Sequence, residues 1–187
     1  MPVTIIVEDG TRIANANSFL SLADANTFFE GHTNAAAWTA ATDDQKKAAL
    51  VTATRLLDSY FQFIGFKTSD SQALQWPRVE ALDINQYSGD LYHDPINNIN
   101  SGYFDEDEIP RVLIDAECEF ARYLLEGNRL GDTAGKGIRE FELTGAMRVE
   151  YQQDNLQTLM PDMIVTMLDP IASVRDGKSS VVKLTRA

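Results

Sequence analysis

The chain is poor in several residue types whose absence excludes whole classes of protein. Its 187 residues hold one cysteine, Cys118, so an internal disulfide is impossible and a reducing compartment fits. No apolar run approaches the ~18–20 residues needed to cross a bilayer, and no membrane partner is expected. The N-terminus, MPVTIIVEDG, has neither a basic leader nor a long apolar segment and does not read as a signal peptide. Histidine is scarce. His32 and His93 lie far apart, and neither stands in an HExxH or Cys/His setting, so neither a metal site nor a His-centred triad is expected. The glycine-rich stretch GNRLGDTAGKG fails as a phosphate loop, because Leu130 takes the place of its first glycine and Gly137 that of its Ser or Thr. Asp105-Glu106-Asp107-Glu108 lacks the ligand spacing of a calcium loop and reads as a solvated acidic run feeding a helix N-terminus. Carboxylates there gain about 0.3–1 kcal/mol each from the helix dipole. With no catalytic, metal or cofactor-binding constellation, the expectation is a protein that is not an enzyme.

Positive charge is also in short supply. Sixteen Lys and Arg stand against 28 Asp and Glu, for a net charge of −12 and a pI near 4.5. Nucleic-acid binders neutralise phosphates with clustered bases, and this composition is the reverse. The deficit is concentrated. Between Val79 and Glu108 lie eight acids and no base: Glu80, Asp83, Asp90, Asp94, Asp105, Glu106, Asp107 and Glu108. The same stretch is rich in Asn and Gly without sustained periodicity, and reads as a long excursion. Its Tyr87, Tyr92, Tyr103 and Phe104 favour a functional segment over disorder, which is poor in aromatics. The stretch 173–187 is the one locally basic tail, carrying Arg175, Lys178, Lys183 and Arg186.

What is present describes one ordinary domain spanning 1–187. Length falls in the usual range, and such a chain buries about 70 % of its unfolded surface without a staple. The expected fold is mainly α with a small β element: about four helices and one or two β-hairpins. Thr4–Val7 and Arg12–Ile13 flank Glu8-Asp9-Gly10 as a small hairpin. Ser21 with Asp24, and Thr42 with Gln45, form capping boxes opening two helices. The first helix has Leu22, Ala25, Phe28 and Phe29 on its apolar side. The second has Ala49, Ala53, Leu56 and Tyr60 on one face and ends near Phe61. A third helix runs from Pro110 to Glu126 with Gly127 as its stop. Phe141, Leu143, Met147, Val149 and Tyr151 alternate about Thr144-Gly145 as a hairpin, and Met160 to Ala172 holds a fourth, short helix.

In the third helix Leu113, Ala116, Phe120 and Leu124 share a face, with Asp115, Glu119 and Glu126 opposite. Glu117 falls inside the apolar arc, where an unpaired carboxylate is costly, and a buried ion pair with Arg78 or Arg55 is expected. Cys118 beside it reads as buried and inert. Gln75-Trp76-Pro77-Arg78 is the most distinctive short run. Trp76 brings a large apolar surface and Arg78 a fixed fork of donors, which suits either a buried anchor or a contact with a neighbouring subunit.

The ordered set VEDGT (7–11), ANSF (16–19), SLADANTFF (21–29), ATRLLD (53–58), QALQWPR (72–78), IP (109–110) and VEY (149–151) resembles one family. It is similar to the head-to-tail connector proteins of tailed bacteriophages (adaptor or head-completion proteins), a family often labelled DnaT-like single-stranded DNA-binding protein. The excursion between QALQWPR and IP is longer than in many members, so no role for it carries over. The resemblance implies a mainly helical virion protein of the neck region, made in the host cytoplasm. It would form a homo-oligomeric ring, commonly a dodecamer, docked on the portal protein and joined to tail or tail-terminator and stopper proteins. Genomic double-stranded DNA would pass through without specific binding. The DnaT-like label implies instead a replication-associated single-strand binder.

Charge bears on this choice, because single-strand binders need a basic groove with stacking aromatics. A ring of acidic subunits surrounds a lumen of negative potential through which DNA slides without sticking. The acidic lumen candidates are Asp105, Glu106, Asp107, Glu108, Asp115 and Glu119. The interface candidates are Trp76, Pro77, Arg78, Tyr87, Tyr92, Arg175, Lys178 and Lys183, with the 79–108 excursion or the basic tail expected to meet other proteins.

Overall fold

A computed structural model describes residues 3–85, 92–94, 99–127, 140–143, 147–150 and 160–175, with the strands inside 92–101 and 140–150 given by their backbone. It is mainly helical with a small β element: five helices and four two-stranded antiparallel sheets among the described residues. Both capping boxes form. Ser21 and Asp24 bond reciprocally at the head of α1 (Leu22–Glu30), as do Thr42 and Gln45 at α3 (Asp43–Tyr60). Between them α2 (Ala36–Ala40) is a single turn with no side-chain cap, held by the buried Trp38. Trp38 packs on Phe29, 4.7 Å between ring centroids, and its N–H donates to Asn26 Oδ1. This element has no signature of its own in the sequence, because tertiary contact supplies its stability.

The chain turns straight from α3 into β1 (Phe61–Phe63), then β2 (Phe66–Lys67) and β3 (Arg78–Val79). Strands β4 (Tyr92–Asp94) and β5 (Ile99–Ser101) place a hairpin inside the acidic excursion, with Tyr92 opposite Ser101. Then follow α4 (Arg111–Leu125), the hairpin of β6 (Glu140–Leu143) and β7 (Met147–Glu150), α5 (Asp162–Leu168) and β8 (Ala172–Val174). Pairing of β8 with β1, Phe61 opposite Val174, returns the chain to the end of α3. The fourth helix expected from Met160 is shorter than the sequence suggested, since Pro161 caps it and Asp169-Pro170 closes it. Pro110 likewise sits at the N-cap of α4 rather than inside it.

The core lies between α3 and α4, with α5, α1 and α2 packed around them. Leu113, Ala116 and Phe120 of α4 are fully buried, as the spacing required. On α3 the buried set is Ala49, Leu50, Ala53, Thr54 and Leu57, while Leu56 and Tyr60 sit at the margin. The true face is rotated toward α4, and burying Leu50 and Leu57 there contributes about 1.5–3 kcal/mol each.

The N-terminal segment does not form the hairpin expected around Glu8-Asp9-Gly10. Instead Val7 bridges Ser18 in parallel, and the Glu8 carboxylate turns inward to accept the backbone N–H groups of Gly10, Arg12 and Ile13. A buried side chain thus replaces the cross-strand ladder, closing the loop on itself. Gly10 has φ 96°, and a Cβ there would overlap the carbonyl oxygen of Asp107. Gly10→Ala is therefore expected to cost more than about 2 kcal/mol in urea unfolding. Gly31→Ala, with open space around its site, should shift the midpoint little; equal effects would refute the close approach.

Candidate functional site

Glu117 occupies the centre of the packed helices with 0 % exposure. No arginine reaches it among the described residues, which corrects the ion pair expected with Arg78 or Arg55. Its partners are the Ser18 hydroxyl at 2.6 Å and the Phe19 backbone N–H at 2.9 Å. Burial pushes this carboxyl up to about 7, against the hydrogen bonds that favour its anion. The geometry agrees with a neutral acid. Ser18 Oγ lies 2.8 Å from Leu20 O as well as 2.6 Å from Glu117, and its one proton serves only one of them. A protonated Glu117 donates to Ser18 Oγ, freeing that proton for Leu20 O. One turn beyond Thr54, Asp58 accepts the Gln75 N–H at 3.0 Å, and burial raises it also to about 7. Its Oδ1 is shielded and has no partner among the described residues.

Trp76 and Arg78 both lie inside, which leaves neither side chain free for a subunit contact on this surface. Trp76 is fully buried, edge-on to Phe63 and Phe104 at 6.2 and 5.6 Å, and the Trp76–Pro77 bond is cis. Pro77 is buried beside them. The Arg78 fork is met entirely by oxygen acceptors of nearby residues. Nε donates to Ile64 O, Nη1 to Gln75 O and Oε1, and Nη2 to Phe63 O and Gly65 O, at 2.6–3.3 Å. Five donors and five acceptors clasp the β1–β2 turn to the Trp76-Pro77 segment. Burial lowers the Arg78 pKa, with Asp58 working against that shift.

The acidic candidates separate. Glu119 does not face solvent opposite the apolar stripe; it is buried between His32 Nε2 at 2.8 Å and Arg122 Nε at 3.0 Å. Arg122 also pairs with Glu126. Sequence spacing put Glu119 outside because α1 and α2, whose loop brings His32 over α4, were not foreseen there. Asp115 is half-buried and paired with Arg111 one turn away. Asp105, Glu106, Asp107 and Glu108 remain fully on the surface, in a turn closed by Glu108 N–H to Asp105 O and tied to Thr68 through Glu106 O. Cys118 is buried, and its thiol pKa is raised by that burial.

Two large apolar side chains are exposed on segments hydrogen-bonded close to this turn. Phe66 is 65 % exposed and lies two residues from Thr68. Ile84, 53 % exposed, follows Asp83, whose N–H donates to Gly102 O just ahead of the turn. Sequence reading missed both, since neither belongs to a periodic run. Four exposed carboxylates without an ion pair among the described residues, with Phe66 and Ile84 exposed on neighbouring segments, suit a protein with apolar and basic side chains and repel phosphate. Arg175, another interface candidate, is exposed, while its backbone N–H is held by Tyr60 O. Tyr92 is placed by backbone alone, whereas Tyr87, Lys178, Lys183 and the glycine-rich loop lie outside the described residues. Among the described residues no group of three His, Cys, Asp or Glu is arranged to hold a metal ion, and no helix is long and apolar enough to cross a membrane.

Neither a curated protein nor a solved structure matches the chain. One family profile does, over residues 3–187, under the description "Putative DnaT-like ssDNA binding protein". Since the match runs almost from end to end and takes in every element described above, the chain belongs to the DnaT-like family.

Proposed function

We propose that this protein is a structural subunit of the bacteriophage neck, a ring-forming adaptor between portal and tail that lines part of the DNA path and carries no enzymatic activity. The observation that supports this reading is the exposed Asp105–Glu108 turn, with Phe66 and Ile84 exposed on segments hydrogen-bonded close to it. Exposed apolar side chains together with carboxylates that have no ion pair among the described residues suit protein–protein contact, and repeated carboxylates around a lumen keep DNA mobile. Of the described cations, Arg78 and Arg122 are buried, Arg111 is ion-paired and Lys46 lies over Trp38, while Arg55 and Arg175 are exposed.

The family description favours a second reading more directly: a single-stranded DNA binder. For it the bases would come from Arg129, Lys136, Arg139, Lys178, Lys183 and Arg186, all outside the described residues. Affinity from such contacts falls steeply with salt.

One pair of measurements separates the two. The adaptor reading expects no gel shift of single-stranded DNA at about 150 mM salt, and ring-shaped particles by electron microscopy when the protein is mixed with its portal. Micromolar, salt-dependent DNA binding by a monomer would replace it with the second reading.

A further inference from the structure

A pocket of about 430 Å³ opens along α3, with Ala16, Val51, Ala73 and Leu74 among the residues of a mostly apolar lining. Arg55 stands in that lining, exposed and without an ion pair among the described residues. Asp58 offers no open acceptor, because one carboxylate oxygen holds the Gln75 N–H and the other is shielded from solvent. Arg175 is exposed at the C-terminal end of α3, its N–H on Tyr60 O one residue past the lining Ser59. The exposed charges at this pocket are therefore both cations.

We infer that this pocket receives Phe66 from a second copy of the chain, with the acidic Asp105–Glu108 turn of that copy set against Arg55 and Arg175; the inference rests on the ring-forming reading above and names its subunit contact. Phe66 takes no part in lining the pocket of its own chain and stays 65 % exposed, so its ring is free for a neighbour. Strand pleating puts it on the same face as Thr68, two residues and about 7 Å on, whose hydroxyl donates to Glu106 O. Val79 pairs with Phe66 across β2 and β3, and the exposed Glu80 follows it. Lys67, the one cation between Phe66 and Thr68, has its ammonium on Gln72 O. An aromatic ring among exposed acids on one surface thus complements an apolar floor with exposed arginines on another.

The two surfaces are different parts of one chain, so the contact is heterologous. Each copy gives its ring to one neighbour and takes a ring from another, and such a series closes on itself when the rotation allows. The pocket is also large enough. Its volume lies within the ~300–1,000 Å³ of sites that enclose small organic groups, and a phenyl ring is at the small end of these. An aromatic anchor seated in a pocket concentrates binding energy, while opposite charges around it set orientation and weaken with salt.

Ring-shaped particles formed by the full chain mixed with its portal, counted by electron microscopy, test this. Phe66→Asp and Arg55→Glu each change an exposed position and should leave the urea midpoint in place while lowering the number of rings about tenfold. Adding Glu106→Lys to Arg55→Glu should recover part of that loss, since the reversed pair attracts again. Equal ring numbers in wild type and both single variants would overturn this contact and leave the adaptor reading standing. No gain of the double variant over Arg55→Glu would overturn the pairing of the acidic turn with Arg55. Absence of rings from the wild type would remove the adaptor reading and this contact with it. Loss of single-stranded DNA binding in Arg55→Glu, with ring numbers kept, would assign the exposed arginines to phosphate and overturn the proposal as well.

Discussion

Replacing Glu117 with glutamine should leave the protein at least as stable as the wild type at pH 8, whereas Glu117→Ala should cost about 3–5 kcal/mol. The alanine variant removes the acceptor for Phe19 N–H and the partner of Ser18, and opens a cavity in a site with no solvent access. The amide of Glu117→Gln keeps both bonds. Its oxygen accepts from Phe19 N–H, and its NH2 donates to Ser18 Oγ, whose own proton goes to Leu20 O. That is the pattern a protonated Glu117 makes, without the cost of ionising it.

The same argument predicts an inverted pH dependence. Glu117 is raised from 4.5 in the unfolded chain to about 7 in the folded one, so between those values the native state binds more protons. Stability from this group therefore falls as pH climbs from about 4.5 through 7, by an amount on the order of 3 kcal/mol. Below 4.5 both states are protonated and the contribution vanishes. Asp58, raised from 3.8 to about 7, acts in the same direction, and the two carboxyls also repel one another. Easing of the overall −12 charge toward pH 4.5 has the same sign, which makes the variant the informative comparison. The urea midpoint should fall between pH 5 and 8, roughly the window set by these pKa values, and Glu117→Gln should flatten much of that slope. A wild-type midpoint that is constant or rising over that range, or an equal slope in Glu117→Gln, would refute a buried neutral acid.

What could be read in advance divides by the range of the interactions. The capping boxes at Ser21 and Thr42 were legible because donor and acceptor sit three residues apart. The α4 stripe of Leu113, Ala116 and Phe120 was legible because one helix carries it. The burial of Glu117 followed from the same stripe, but its partners did not. They are a hydroxyl and a backbone N–H some 98–99 residues away, and neither has a charge that would advertise it. The Glu8 loop failed for a related reason: Glu-Asp-Gly reads as a turn whether a ladder or a carboxylate closes it. On the candidate surface, the Asp105–Glu108 run was visible as composition. Phe66 and Ile84 acquired meaning only once the folding of 63–84 left them outside.

Arg78 carries the second large effect, and it separates an internal clasp from an intersubunit contact. Its guanidinium satisfies four main-chain carbonyls and the Gln75 side chain from two directions, the β1–β2 turn on one side and Gln75 on the other. A lysine ammonium has three donors on a single nitrogen and does not bridge both. Arg78→Lys is therefore expected to lose about 2 kcal/mol and Arg78→Ala about 3–4 kcal/mol in equilibrium unfolding, the cost of carbonyls left partly without partners. Trp76 would report the change, because the clasp holds the segment that seats its ring between Phe63 and Phe104; a red-shifted indole emission in native buffer should accompany the lost stability. The opposite pattern would arise if Arg78 worked at a subunit interface. Unfolding and Trp76 emission would then stay at wild-type values, within about 0.5 kcal/mol, while association weakened. Five satisfied donors inside one chain leave the guanidinium nothing to offer a neighbour, so the loss should appear in the isolated subunit.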